Sequence, residues 1–264
     1  MSIDMKQWLA PPAAFILRNI PSHRYRKRFA RKVGPYLQGA AAMTAYGFPM
    51  IVRWHDNANR IGFEGSYGVV EDFIKSLPGH ALFIDIGANQ GCTSILAEKT
   101  LKMRGGGMVM AYEPSPATFN LLQENIALNE CSCIHSFRQA VSSRRGELYL
   151  DAGKQGNSGA AFVSAAGERI LAGPIVLDDI ERFGHFKEIH VKIDTEGYEL
   201  EVLRGIQELL VAGRVKKLVV EVNDMHLQRF GADSASLYEF LEQFGYLPSM
   251  GLQSGHYDEV FFRS

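Results

Sequence analysis

The sequence predicts an α/β fold: an open, mostly parallel sheet with helices on both faces, preceded by an N-terminal helical extension and closed by a C-terminal antiparallel hairpin. Three observations predict it. Short apolar runs recur along the chain and alternate with helical patterns. The run ALFIDIG stops at a glycine loop and restarts as the helical CTSILAEKTLK. The chain then ends in two strand-like stretches, GYLPSM and HYDEVFFRS, joined by a short loop.

Residues 1–62 read as the extension, with a strand-like FPMIVRWH and a turn at HDNAN, and residues 63–264 as the ligand-binding domain. SYGVVEDFIKSL is a helix that leads into the first strand, at 82–86. Further strands follow at 108–112, about 134–140, 189–193 and 218–222, with helices between them, and this alternation predicts a parallel sheet. GELYLDAGKQGNSGAAFVSAAG and GPIVLDDI are short, glycine-punctuated and partly alternating, so they read as extra strands or a hairpin. The chain contains neither an internal repeat nor a low-complexity linker.

Composition narrows the classes. The 264 residues are 46% hydrophobic and 22% charged, with a formal net charge of −1, which suits one large folded domain with additions. Near-neutral charge argues against a dedicated nucleic-acid binder. Cys92, Cys131 and Cys133 form no disulfide framework, and a lone C-x-C has no second ligand pair for zinc. No run approaches the ~18 apolar residues of a membrane helix. Two prolines break WLAPPAAFIL, so a secretory leader is not expected and the cysteines fit a reducing cytoplasm. Residues 18–32 hold seven Lys or Arg and no acid. They read as a patch for an anionic surface, either a phosphate-bearing substrate or the headgroups of an inner membrane face, or as a solvated helix face, or as part of an oligomer contact.

The glycine loop poses the ligand question. Nucleoside triphosphates, dinucleotides and S-adenosylmethionine all use such a turn. A P-loop needs Lys then Ser or Thr after its last Gly, but Gly91 is followed by Cys92 and Thr93. A dinucleotide loop wants a middle Gly, where this chain has Asn89. Asp85, two residues before Gly87, is poorly suited to a pyrophosphate but could accept from the ammonium of an amino-acid ligand. In the next unit Glu113 ends a strand, where a carboxylate can accept both hydroxyls of a ribose. Its spacing from Gly91 suits NAD as well as S-adenosylmethionine, so it marks an adenosine-type ligand only.

The segment IHVKIDTEGYELEVLRGIQELL leads a strand into a helix through Asp194, Thr195, Glu196 and Gly197. A strand parallel to the first opens on the same edge as the glycine loop, which puts Asp194 and Glu196 near the ligand. Acids in the first turn also favour a helix N-terminus, which is the other reading of Glu196 and Glu199.

These stretches together resemble the FkbM family of S-adenosylmethionine-dependent methyltransferases. The resemblance rests on FIDIGANQG, YEPSPATFNLLQENI, VLDDI, VKIDTEGYELEVLRG and VVEVN, in that order, over about residues 64–263. It implies the class I methyltransferase (Rossmann-like) fold, with a mostly parallel seven-stranded sheet. It also implies O-methylation of a hydroxyl on a sugar, a glycan or glycolipid, or another small molecule. By the same resemblance, Asp85, Gly87, Ala88, Asn89 and Gly91 hold the methionine end of the cofactor, with Asp194 beside them. Glu113 holds the ribose, with Pro114 and Ser115 adjacent, and Ala140, Val141 and Ser142 flank the adenine. Asn157 and Ser158, in QGNSGA, fall where the family carries a polar pair that contacts the acceptor.

Methyl transfer from a sulfonium asks the protein to position an oxygen in line and remove its proton. Asp194, Glu196, Glu221 and His226 are the candidates for that work, with Asp194 first by location, and Glu221 and Asn223 could also hold acceptor hydroxyls. A divalent ion at Asp194, Glu221 and Asn223 would have the oxygen ligands it prefers, although the resemblance demands no metal. Two rivals remain open. A nicotinamide oxidoreductase fits the sheet and Glu113 but not Asn89, and a non-catalytic cofactor-binding scaffold has no physical need for Asp85, Glu113, Asp194 and Glu196 at one edge.

Overall fold

The computed structural model describes residues 39–53, 56–151 and 161–263. Residues 1–38, including the basic stretch at 18–32, and the Asn157–Ser158 pair lie outside the described residues. Among the described residues, no helix is long and apolar enough to cross a membrane.

The expected sheet is present. Its parallel strands are β3 (Ala81–Ile86), β4 (Gly107–Tyr112), β5 (Ile134–Phe137), β10 (Ile189–Ile193) and β11 (Val215–Asn223). The C-terminal strands β12 (Tyr246–Pro248) and β13 (His256–Arg263) complete it, with β13 antiparallel to both β11 and β12. The spatial order is β12-β13-β11-β10-β3-β4-β5, so β3 and β10 lie side by side at the centre.

Strands β3 and β10 are buried along their whole length because both faces of the sheet are covered. Leu82, Ile84 and Ile86 pack into one core while Ala81 and Phe83 pack into the other, following the alternation of a pleated strand. Phe48, Met50, Val52 and Phe63 of the N-terminal segment belong to this second core. That segment contains the antiparallel pair β1 (Ala41–Met43) and β2 (Pro49–Ile51), followed by helix α1 (Asn57–Glu64). Residues 56–59, the described part of HDNAN, therefore open a helix where the sequence suggests a turn. Asp56 caps it, accepting from the Ala58 N–H at 3.0 Å.

Helix α2 (Val69–Lys75) leads into β3, as its apolar spacing predicts. Helix α3 (Cys92–Met103) follows β3 and helix α4 (Pro116–Leu128) follows β4. Ser115 caps α4 and Pro116 opens it, a residue suited to the first turn because it has no N–H to satisfy.

The stretch expected as one strand over 134–140 divides. Residues Ile134–Phe137 stay in the main sheet, while β6 (Ala140–Val141) joins a second, four-stranded sheet. That sheet also holds β7 (Gly146–Asp151), β8 (Phe162–Ser164) and β9 (Glu168–Gly173), in the order β6-β9-β7-β8. It accounts for the strands expected in the described part of residues 146–167, whereas GPIVLDDI, expected as a strand or hairpin, leaves β9 at Gly173 and enters a helix at Leu177. After it come helices α5 (Leu177–Glu181), α6 (Glu199–Gly205), α7 (Gln207–Val211), α8 (Asp224–Leu227) and α9 (Ser234–Glu242).

Candidate active site

Beyond the carboxyl ends of β3, β4, β10 and β11 lies a cavity of about 980 Å³. Its wall begins at the glycine loop. Gly87 has φ 77°, and a Cβ there would lie 1.8 Å from the Asp194 carbonyl oxygen, so only Gly lets the loop touch the turn after β10. Asn89 adopts φ 51°, a left-handed conformation that Asn tolerates better than most residues. Its N–H donates to Glu113 Oε2 at 3.0 Å, and the Ser115 N–H donates to Oε1 at 2.9 Å. Glu113 thereby ties the loop to the end of β4 and still faces the cavity. Burial pushes its carboxyl up to about 7, against the pull of those two N–H groups.

Behind the loop, Gln90 donates to Asp56 Oδ2 at 2.6 Å and accepts from Asn59 at 2.5 Å. Asn125 donates to the Gln90 carbonyl at 2.9 Å and accepts from the Ile51 N–H at 2.9 Å. The loop is thus braced by the N-terminal segment as well as by α4.

Asp85 is fully buried and does not line the cavity. Thr93 and Ser94 donate to its Oδ2 at 2.7 and 2.6 Å, and Lys192 Nζ stands 3.2 Å from Oδ1. Parallel pairing makes Asp85 and Lys192 direct neighbours across β3 and β10. Lys192 also reaches Asp194 at 3.4 Å and donates to the Gly87 carbonyl at 3.1 Å. Burial opposes its charge, yet the two carboxylates hold its ammonium above the usual lysine range. Asp85 is thus paired with Lys192, where the sequence suggested a ligand ammonium.

The turn after β10 is organised by Glu199, whose Oε1 accepts from the N–H groups of Thr195 and Gly197 at 2.8 and 3.1 Å and from the Thr195 hydroxyl at 3.0 Å. Glu199, in the first turn of α6, therefore braces the turn that precedes the helix, while Glu196, at φ 57°, faces the cavity. Gly197 lets the turn press on helix α8, since a Cβ there would lie 2.3 Å from the His226 carbonyl oxygen. This brings Glu196 Oε2 to 3.1 Å from His226 Nδ1. A second imidazole, His256 on β13, sits 2.7 Å from Glu221 Oε1.

Four carboxylates, on Asp194, Glu196, Glu221 and Asp258, share this end of the cavity. Burial, then repulsion from Glu221 and Asp194, lifts Glu196 to about 8, and burial with Asp194 lifts Asp258 to about 6. Glu221 is also raised, by burial and then by Asp194, against the hydrogen bond from His256. That hydrogen bond raises His256 in turn. Burial, followed by repulsion from Arg229 and His256, lowers His226.

The structure gathers Gly87, Ala88, Asn89, Glu113, Pro114, Ala140 and Val141 with Asp194, Glu196, Glu221 and His226 around one cavity. Gly91, Ser115, Ser142 and Asn223 stand behind its wall. Gly91 precedes α3, Ser115 caps α4, Ser142 contacts the Tyr198 hydroxyl at 3.2 Å, and Asn223 pairs with His256 across β11 and β13. Lys192, His256, Asp258, Arg229 and Tyr67 were not anticipated, and of these Lys192 carried a signal: a cation inside a strand buried on both faces requires an anionic partner.

An open α/β sheet with a glycine-loop cavity at its strand ends defines a cofactor-binding protein of the Rossmann-like class. The family described as methyltransferase FkbM domain matches residues 85–248, and the chain belongs to that family. Among characterised relatives, it is 27% identical over 160 residues to the hexuronic acid methyltransferase AglP of Haloferax volcanii, covering 60% of this chain and 63% of that protein. It is 27% identical over 173 residues to the methyltransferase sdnD of Sordaria araneosa, covering 51% and 64% respectively. Both matches thus span less than two thirds of the relative's length. Among solved structures, methyltransferase FkbM from Methylobacillus flagellatus aligns over 95% of this chain and 58% of its own, at 15% identity and a TM-score of 0.49. The ribosomal protein L11 methylase from Lactobacillus delbrueckii subsp. bulgaricus aligns over 76% and 79%, at 13% identity and a TM-score of 0.44.

Proposed function

We propose that the protein is an S-adenosylmethionine-dependent O-methyltransferase acting on a hydroxyl of a sugar or glycan. One observation carries this reading: a single cavity runs from the Glu113-clamped glycine loop to the four carboxylates and two imidazoles at the ends of β10, β11 and β13. The two ends suit different guests. Glu113 and the loop fit an adenosine-type cofactor, because a carboxylate holding two N–H groups retains lone pairs for ribose hydroxyls. The acid-rich end fits a polyol, whose hydroxyls donate to carboxylates. The naming of one relative as a hexuronic acid methyltransferase supports a sugar acceptor.

In this reading Gly87, Ala88 and Asn89 receive the methionine end of the cofactor, and Ala140 and Val141 flank its adenine. When bound, the cofactor supplies an electrophilic methyl group together with its own leaving group. The protein's part is to hold the acceptor oxygen in line, exclude water and take up a proton. Asp194 is the proton acceptor: it lines the cavity and its backbone abuts Gly87, so its carboxylate stands between the two guests. Lys192, bonded to Asp85, Asp194 and the Gly87 carbonyl, keeps loop and base in register.

Calorimetric titration with S-adenosylmethionine and with NAD tests the cofactor, and transfer of labelled methyl to uronic-acid and neutral glycans tests the acceptor. Binding of S-adenosylmethionine but not NAD, with label appearing on a sugar hydroxyl, is the expected result. Binding of NAD alone would replace this reading with a nicotinamide oxidoreductase.

A further inference from the structure

We propose that Glu196, Glu221 and His226 form a binding site for a divalent metal ion at the acceptor end of the cavity. This deepens the methyltransferase reading and rests on it for the role of the ion, but not for the site itself. One donor atom from each of the three residues lies within 4.8 Å of the other two. They come from three elements that the fold presses together: the turn after β10, the end of β11, and helix α8. The contact between Gly197 and the His226 backbone sets their spacing.

An independent observation points to a ligand at this place. Glu221 is only 6% exposed, and its Oε2 is sealed from solvent with no hydrogen-bond partner among the described residues. Its other oxygen is taken by His256 at 2.7 Å. A buried carboxylate oxygen normally has a partner, and leaving it without one is costly. His226 Nδ1 is likewise buried and makes no hydrogen bond, although Glu196 Oε2 is 3.1 Å away. The unpartnered Glu221 oxygen, beside an imidazole nitrogen and a second carboxylate that stand 3.1 Å apart, supplies three donor atoms within reach of one ion.

The local charge agrees. Asp85, Asp194, Glu196, Glu221 and Asp258 gather here against three cations, Lys192 engaged by Asp85 and Asp194, His256 engaged by Glu221, and Arg229. A divalent cation would offset that excess of negative charge.

Two carboxylates and one imidazole suit a first-row ion such as Mn²⁺, for which mixed oxygen and nitrogen ligands are ordinary. Three protein ligands leave positions open toward the cavity. Adjacent hydroxyls, or a hydroxyl beside a carboxylate, would fill them, so the acceptor is a chelating sugar such as a vicinal diol or a hydroxy acid. The ion would acidify the hydroxyl it holds, easing transfer of its proton to Asp194.

The test uses the full chain stripped of metal by chelation, without cofactor or acceptor. Added Mn²⁺ is followed by loss of its free-ion paramagnetic resonance signal and by calorimetry, with Zn²⁺ in a parallel titration. One equivalent should bind. Glu221→Gln, Glu196→Gln and His226→Gln should each weaken binding by about tenfold or more, since even outer-sphere changes at metal sites have effects of that size. Calorimetric binding of S-adenosylmethionine and circular dichroism show which variants are folded, and the comparison is made on those. Failure of both ions to bind the wild-type chain at millimolar concentration would overturn the site, as would binding unchanged in all folded variants. Mn²⁺ binding in a chain that does not bind S-adenosylmethionine would keep the site and remove the methyltransferase reading.

Discussion

Lys192 and Asp85 face each other across the two central strands, 3.2 Å apart and both sealed from solvent beneath the glycine loop. Breaking such a pair leaves a charge buried without its partner, which costs about 3–5 kcal/mol. Lys192→Met should therefore lower the denaturant midpoint substantially and loosen the loop, which also loses a donor to the Gly87 carbonyl. An unchanged midpoint in urea would show that the pair contributes nothing to stability.

Glu113 should control cofactor affinity. Glu113→Ala removes the acceptor for the Asn89 and Ser115 N–H groups and the proposed ribose contact, for a loss of about 1.5–3 kcal/mol in binding free energy. Calorimetry on the folded variant measures it, and equal affinity would remove the ribose role.

The same residue sets a pH dependence. Its folded-state carboxyl titrates near 7, above the ordinary range, so folding takes up a proton between that range and about 7. Its contribution to the stability of the empty protein therefore falls as pH rises through this window. Cofactor hydroxyls donate to the ionised form, so affinity should be full above about pH 7 and fall below it by at most about tenfold per unit. Glu113→Gln should flatten the profile, and a profile equally steep in that variant would assign it to another group.

Asp194→Asn should leave S-adenosylmethionine binding near wild type while lowering turnover by ~10²–10⁴-fold, the range for a lost general base. The readout is kcat with a competent acceptor, beside calorimetric affinity. Turnover within a few fold of wild type would make Asp194 a structural partner of Lys192.

Gly87→Ala should be poorly tolerated. Its Cβ would meet the Asp194 carbonyl at 1.8 Å, at a φ of 77° that Ala seldom adopts. Thermal melts should show a loss of about 1–3 kcal/mol, the scale of a residue held in a sparsely populated conformation. Cofactor affinity should fall as the loop and the turn separate. Wild-type melting and affinity would show that the two can part without cost.

What the sequence determined by itself is what local pattern can carry. A strand buried on both faces is written as a continuous apolar run, so β3, β4, β10 and most of β11 could be read directly, along with the hairpin that ends the chain. The glycine loop, Glu113 at the end of β4 and the acids of the turn after β10 follow from those strands, because carboxyl ends of parallel strands share an edge. The tertiary structure decided what depends on pairing between distant segments. The register of β10 on β3 makes Asp85 the partner of Lys192. The antiparallel register of β13 on β11 brings His256 and Asp258 beside Glu221, from 35 and 37 positions further along the chain. No spacing rule predicts such neighbours, because a shift of one residue would send each side chain to the opposite face of the sheet.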